Sequence, residues 1–449
     1  MFFVLSTLSW DSAVFNLSRI QSRLYKCVYV FDMDKALFIQ KSIFRSSTAC
    51  LLAIRNITQI DWLRKIAGID GKIYISFIDR FVLNEIIKEK FFYWVPSRIK
   101  LVNILRVDGT VFSLNLLTIG DRVWQCLFRF GLEPAHEASF SARNLGFRPG
   151  LFVYDLQRTF FYNLNASSFG FQKRILIIKL GEKFSRFNYN SLLRKLIVTR
   201  CLKLTVFRFF KVGFFPSFTY SLKDNFYLDS LIANILFDGI ESLHSSVRFG
   251  GDVAFFLKPK QNENRVFRQL FKFLDGLLLD LRFLKFYVFN SSKGFDFLDW
   301  HFKLVSNSNF ACFPSYSSYK NFLLRVKNIL NNSNYGVGVK VLKVRPIIKQ
   351  WFVYNSFSNL QSNQYALFFL KRRAFKIFNS ESKQDKYSSK RLVDICFDFK
   401  SLSDLHFVVK HKSFWFNYLS INSNSNYIFS VYYNVKDYYC IFCGIRISH

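Results

Sequence analysis

Sixty-three lysines and arginines against 30 acidic residues leave a formal charge of +33, spread along the whole of a chain that is nevertheless 51% hydrophobic. The apolar half demands a buried core and excludes a disordered polyelectrolyte. The charge demands an anionic partner, because a compact body carrying so much like charge repels itself. Nucleic acid is the first candidate. Neutralising phosphates releases counterions, and about eight such contacts would make affinity fall roughly 10³- to 10⁵-fold between 50 and 200 mM salt. An anionic membrane surface is the rival. No membrane span is expected, since no uninterrupted apolar run approaches the roughly 20 residues that a bilayer needs.

At 449 residues, about two to four modules are expected. Asp11 can cap a helix that sets Val14, Leu17, Ile20, Leu24 and Val28 on one face and Arg19, Arg23 and Lys26 on another. A second helix is predicted after Asp34, running past Ile43, Phe44 and Leu51 and carrying Lys41, Arg45 and Arg55. Two neighbouring basic helices suit RNA, with a solvated charged face as the bland alternative. From Ile73 to Val111, short apolar runs and the turn signal Val107-Asp108-Gly109-Thr110 predict strands and hairpins. Helical periodicity over Asp121–Leu132, Ser191–Thr199 and Leu231–Leu243 alternates with strand-like runs at Ile175–Leu180 and Val253–Leu257, which predicts an α+β core. Tyr319–Leu330 opens a helical, basic module, and polar stretches at Asn331–Asn334, Asn379–Lys390 and Ser420–Asn426 are expected linkers. Six of the eight cysteines stand singly among apolar neighbours, which predicts reduced thiols and a reducing compartment. The short apolar opening, Met1–Trp10, lacks a basic flank and is expected to belong to the mature protein.

Asp121–Gly150 reads DRVWQCLFRFGLEPAHEASFSARNLGFRPG, and this segment, above all GFRPG at Gly146–Gly150, resembles the fingers of group II intron reverse transcriptases. Further matches follow in order. IQSRLYK (Ile20–Lys26) and SSTACLLAIRNIT (Ser46–Thr58) are similar to the amino-terminal extension of that family, and AGIDGK (Ala67–Lys72) to the turn after it. DSLIANILFDGIESL (Asp229–Leu243), VRFGGDVAFF (Val247–Phe256) and GFDFLDWHF (Gly294–Phe302) resemble the palm, and RPIIKQWFVY (Arg345–Tyr354) resembles the domain X of maturases. The resemblance implies a right-hand polymerase-like α+β fold: a helical extension at 1–60, fingers at 61–170, a degenerate palm at 171–305, a helical thumb or domain X at 306–400 and a small remnant at 401–449.

Polymerisation in that family uses carboxylates that hold two Mg²⁺ about 3.5–4 Å apart, and such hard cations take oxygen ligands. Against the family pattern, Lys179 stands where the first metal-binding Asp is carried and Ser185 at the nearby second Asp position. The turn that carries two adjacent Asp residues has Gly251 and Asp252 here, so one carboxylate remains of the expected three. The Gly-rich turn before DSLIANI is replaced by Ser221-Leu222-Lys223-Asp224-Asn225-Phe226. These departures imply a scaffold that holds RNA without copying it: an intron maturase that stabilises group II or related intron RNA for splicing. No catalytic residue and no cofactor of the protein's own is implied, and Mg²⁺ serves the RNA. Two alternatives stand beside it. One is a reverse transcriptase with residual activity, using Asp252 with Glu182 or Asp224. The other is a structural component of an organellar ribonucleoprotein.

The same resemblance implies RNA contact at Gln21, Arg23, Lys41, Arg122 and Arg148, the last because a guanidinium fork suits phosphate oxygens. In the segment similar to domain X, Lys349, Trp351 and Tyr354 suit phosphate contact and base stacking, with core packing the alternative for Trp351. Lys371-Arg372-Arg373 forms a further basic patch. The tail Tyr438–His449 resembles the first half of an HNH endonuclease zinc region. Cys440 and Cys443 supply two thiolates and His449 a third ligand where tetrahedral zinc takes four, so zinc and two ordinary thiols both stand open, and endonuclease activity is not expected. The excess of Phe, Ile, Asn and Lys suits an AT-rich organellar gene, for which a plastid is expected and a mitochondrion is the alternative.

Overall fold

In a computed structural model that describes residues 10–60, 67–71, 76–105, 111–164, 169–180, 187–218, 227–279, 284–305, 309–360, 364–382 and 386–397, the first helical repeat becomes α1 (Trp10–Tyr29). It buries Val14, Leu17, Leu24 and Val28 as its spacing predicts. The single helix expected to run from Asp34 past Leu51 is instead two, α2 (Met33–Arg45) and α3 (Ser47–Arg55). Ser46 is the cause. Its extended backbone ends one helix, and its hydroxyl accepts from the Ala49 amide (3.3 Å) to start the next, so the two segments meet at 61°.

Among the described residues, the strands expected between Ile73 and Val111 are met only by β1 (Lys100–Leu105), which pairs antiparallel with β2 (Val111–Leu116); the expected turn at Val107–Thr110 lies outside the described residues. Phe77–Lys90 is a helix, α4, because Ser76 and Asp79 form a reciprocal capping box at its start. It sends Ile87 into the core.

The helices converge on α5 (Ile119–Glu137), which is buried along nearly its whole length and runs a turn and more beyond the expected Leu132. Its Trp124 sits between the rings of Phe91 (centroids 5.4 Å), Phe128 (4.8 Å) and Phe209 (4.9 Å). Near its end His136 is wholly buried, and its Nε2 accepts from the Ile197 amide (3.2 Å). Burial, assisted by Lys203, holds this imidazole down to about 3. The unfolded chain therefore binds a proton between roughly pH 6.5 and 3 that the folded chain refuses, and stability falls as pH falls through that window. Urea unfolding is expected to show His136→Gln narrowing the loss between pH 7 and 5 by about 2 kcal/mol. The buried carboxyls of Asp121, Glu137 and Asp238, which burial pushes up, act in the opposite direction, so only this difference between variants isolates the histidine. Equal losses in both proteins would refute the assignment.

After α6 (Val153–Leu164) comes a four-stranded antiparallel sheet of β3 (Arg174–Lys179), β4 (Ser246–Phe249), β5 (Asp252–Leu257) and β6 (Lys285–Asn290), in the spatial order β4-β5-β3-β6. The helices α7 (Tyr189–Lys195), α8 (Arg200–Lys211) and α9 (Asp229–Phe237) connect β3 to β4, and α10 (Glu263–Gly276) connects β5 to β6. This is the split β-α-β-β-α-β arrangement. Leu176, Ile178, Val253 and Phe255 pack on the helical body; Ile175, Ile177, Ala254 and Phe256 pack the other way. Covered on both faces, β3 and β5 read as continuous apolar runs rather than alternations.

The second face meets α6 and a three-stranded sheet of β7 (Phe295–Phe297), β8 (Trp300–Val305) and β9 (Asn309–Pro314). A helical bundle follows: α11 (Tyr316–Asn331), α12 (Val337–Tyr354), α13 (Gln364–Ser382) and α14 (Lys386–Phe397). Most of the linker expected at Asn379–Lys390 is helical, divided between α13 and α14. The bundle is fastened to the strands. The Trp300 ring stacks on Tyr354 (4.7 Å), its Nε1 donates to Asn355 Oδ1 (3.2 Å), and the Tyr154 hydroxyl donates to the Val353 carbonyl (2.5 Å). Among the described residues, no single helix is long and apolar enough to cross a membrane.

Candidate nucleic-acid interface

Antiparallel pairing sets directly opposed residues on one face of a sheet. At the end of the four-stranded sheet, Lys179 of β3 stands opposite Asp252 of β5 on one side and opposite Lys285 of β6 on the other. Both lysines are exposed, and Asp252 is half-buried. The row therefore presents two ammonium groups and a carboxylate. Asp299, on the turn between β7 and β8, lies near enough to feel it: burial pushes its carboxyl up, and the Lys179 charge draws it back down.

The turn beside this row is rigidly supported. Gly250 takes a left-handed φ of 61°, and the Gly251 carbonyl accepts from the Leu180 amide (2.8 Å). Beneath it, Arg248 pairs with Glu241 (2.5 Å), with neither side chain exposed, and donates to Asn234 Oδ1 (3.1 Å) and the Gly250 carbonyl (3.3 Å). Asn234 in turn donates to the Gly146 carbonyl (2.8 Å). A Cβ at Gly146 would run into the Gly250 backbone nitrogen, so the GFRPG segment and the β4–β5 turn touch backbone to backbone. That close approach is a physical reason for glycine at 146, and the left-handed φ is one for glycine at 250.

Two Mg²⁺ ions need a set of oxygen ligands. Among the described residues, no three His, Cys, Asp or Glu side chains gather to hold a metal, and the row of Lys285, Lys179 and Asp252 does not fit a metal pair. Ser185, Glu182, Asp224 and the Ser221–Phe226 segment lie outside the described residues, as do Cys440, Cys443 and His449.

The residues expected to meet RNA divide into two groups. Arg23 and Lys41 are exposed, and with Arg19, Lys26, Lys35 and Arg45 they make the outer faces of α1 and α2 basic. Gln21, Arg122 and Arg148 are turned inward instead. Gln21 donates to the Phe130 carbonyl (2.6 Å), and Arg122 points back toward the Leu117 carbonyl (3.5 Å). Arg148 pairs with Glu137 (2.6 Å) and donates to the carbonyls of Ser141 and Asn144 (2.7 Å each), which fastens the GFRPG turn to the end of α5. With its fork engaged inside the protein, Arg148 holds a turn in shape, a correction to the phosphate contact expected of it.

In the bundle, Trp351 takes the core alternative: it is buried and stacks on Phe322 (4.6 Å). Tyr354 is absorbed in the Trp300 stack, and burial raises its hydroxyl pKa. Lys349 is half-buried. Of the basic run, Lys371 pairs with Asp394 (3.1 Å), Arg373 donates to Asn331 Oδ1 (2.8 Å), and Arg372 is exposed. Lys285 and Asp299 were missed at the sequence level, because only strand register and a turn in another sheet bring them to Lys179. Lys340, wholly buried against Glu381 (2.5 Å), was also missed; it ties α12 to α13.

Residues 6–86 match the family model for the N-terminal domain of reverse transcriptase. Maturase-like protein 1 of Euglena gracilis is 39% identical over 443 residues, covering 97% of this chain and 96% of that protein. Maturase-like protein 1 of Euglena longa is 38% identical over 451 residues, covering 98% and 97%. The chain belongs to this family of maturase-like, reverse transcriptase-related proteins.

Proposed function

We propose that the protein is an intron maturase that binds group II or related intron RNA, holds it in its folded form and does not copy it. In this reading the four-stranded sheet is a palm, the helical body before it the amino-terminal extension and fingers, and the bundle of α11–α14 the thumb or domain X. The observation that carries it is the lysine row: Lys179 stands between the carboxylate of Asp252 and the ammonium group of Lys285, where a polymerase would gather divalent ions. Near full-length similarity to maturase-like proteins supports the RNA partner, and the basic faces of α1 and α2 offer a surface for it. Mg²⁺ belongs to the intron, whose own metal site carries out transesterification. The proposed compartment is the plastid, with the mitochondrion as the alternative.

Crosslinking in the native organelle, followed by RNA sequencing, tests the partner. Intron reads are the expected result, and recovery of ribosomal RNA alone would favour a structural particle component. Primer extension with purified protein tests the polymerase side: no incorporation is expected with Mg²⁺ or Mn²⁺. Incorporation that Asp252→Asn abolishes would overturn this half of the reading.

A further inference from the structure

The row at the sheet end has lost its fit to divalent ions, yet it keeps cationic charge at the same place. Lys179 and Lys285 are direct cross-strand neighbours, both exposed, on the terminal rung of two paired strands. Like charges set directly opposite each other repel. An anion lying between them would relieve that repulsion. Each ammonium carries three donors and no acceptor, so Lys179 can serve a carboxylate and a phosphate oxygen together. Asp252, on the adjacent strand β5, faces it and Asp299 lies close by, which supplies the carboxylate side of such an arrangement.

We propose that this sheet end is a metal-independent phosphate site, where the ammonium groups of Lys179 and Lys285 hold an RNA backbone in place of divalent ions. The carboxylates steady the lysines, and the lysines meet the phosphate. The inference rests on the maturase reading and adds to it a particular point of contact within the sheet.

The test uses the full-length protein and a fluorescein-labelled single-stranded oligouridylate, titrated over a range of salt concentrations in EDTA and again in Mg²⁺. A variant carrying Lys179→Gln and Lys285→Gln is compared with one carrying Lys258→Gln and Lys260→Gln, an exposed lysine pair just after β5 that loses the same charge. Circular dichroism confirms that both variants fold. Each phosphate contact on a single strand contributes about 0.7 to the slope of log affinity against log salt, so the first variant should lose about 1.4 and bind roughly 10- to 30-fold more weakly at 0.1 M salt. The loss should be the same in EDTA and in Mg²⁺, and the control pair should lose clearly less. An unchanged slope, an equal loss in the control, or a loss seen only with Mg²⁺ would each overturn the site. Wild-type protein that binds without salt dependence would instead count against the maturase reading itself.

Discussion

Replacing Glu241 by alanine is expected to lower the stability of the fold by about 3–5 kcal/mol, because it takes away the carboxylate paired with a fully buried guanidinium. Glu241 and Arg248 are both fully buried and meet at 2.5 Å. Arg248 keeps its bonds to Asn234 and the Gly250 carbonyl, but these are neutral acceptors and do not offset the charge. Removing both partners is a different matter. Glu241→Leu with Arg248→Met removes both members of the pair at similar volume, and should recover most of the loss. Urea unfolding followed by circular dichroism measures both. A single variant that loses less than about 1 kcal/mol would mean that water reaches the pair, as at a surface ion pair. Hydrogen exchange adds a local readout: amides around Gly250 and Gly251 should lose protection first, since Arg248 supports that turn.

The second large effect is expected at Trp124. It has no exposed surface, it touches three aromatic rings, and its Nε1 donates to the Phe91 carbonyl (2.9 Å). Trp124→Ala removes the ring and leaves a cavity among stiff neighbours, at a cost of about 3–5 kcal/mol. Trp124→Phe keeps an aromatic surface but strands the carbonyl, at about 1–3 kcal/mol. The order of the two is the test. If both cost the same small amount in thermal or urea unfolding, α5 is not the centre of the core.

Where one residue type repeated at one period, the fold could be read directly: α1 from Val14, Leu17, Leu24 and Val28, and α11 from Phe322, Val326 and Leu330. Punctuation by single polar residues was harder. The hydroxyl of Ser46 divides one apolar repeat into two helices, and the Ser76–Asp79 capping box converts an apparent strand region into α4. The site divides in the same way. Lys179 and Asp252 were legible from the motifs that surround them, but their facing positions, and the arrival of Lys285, depend on register between strands more than 70 residues apart in the chain. Gln21, Arg122 and Arg148 looked like surface contacts because polar residues are mostly exposed. What turns them inward are partners that periodicity cannot reveal, such as the Phe130 carbonyl, 109 residues from Gln21.

The joint at Trp300 bears on how a large ligand is gripped. With an aromatic stack and two hydrogen bonds fastening the end of α12, the strands and the following bundle form a single caliper rather than beads on a string. Under the proposed maturase function, a folded RNA that spanned both jaws would meet surfaces already set at a fixed distance. The orientational entropy has been lost when the protein folds and is not lost again on docking. Weakening the joint, as by Asn355→Ala, would leave each jaw its own surface while loosening the distance between them, which in the proposed maturase would blunt its response to RNA shape.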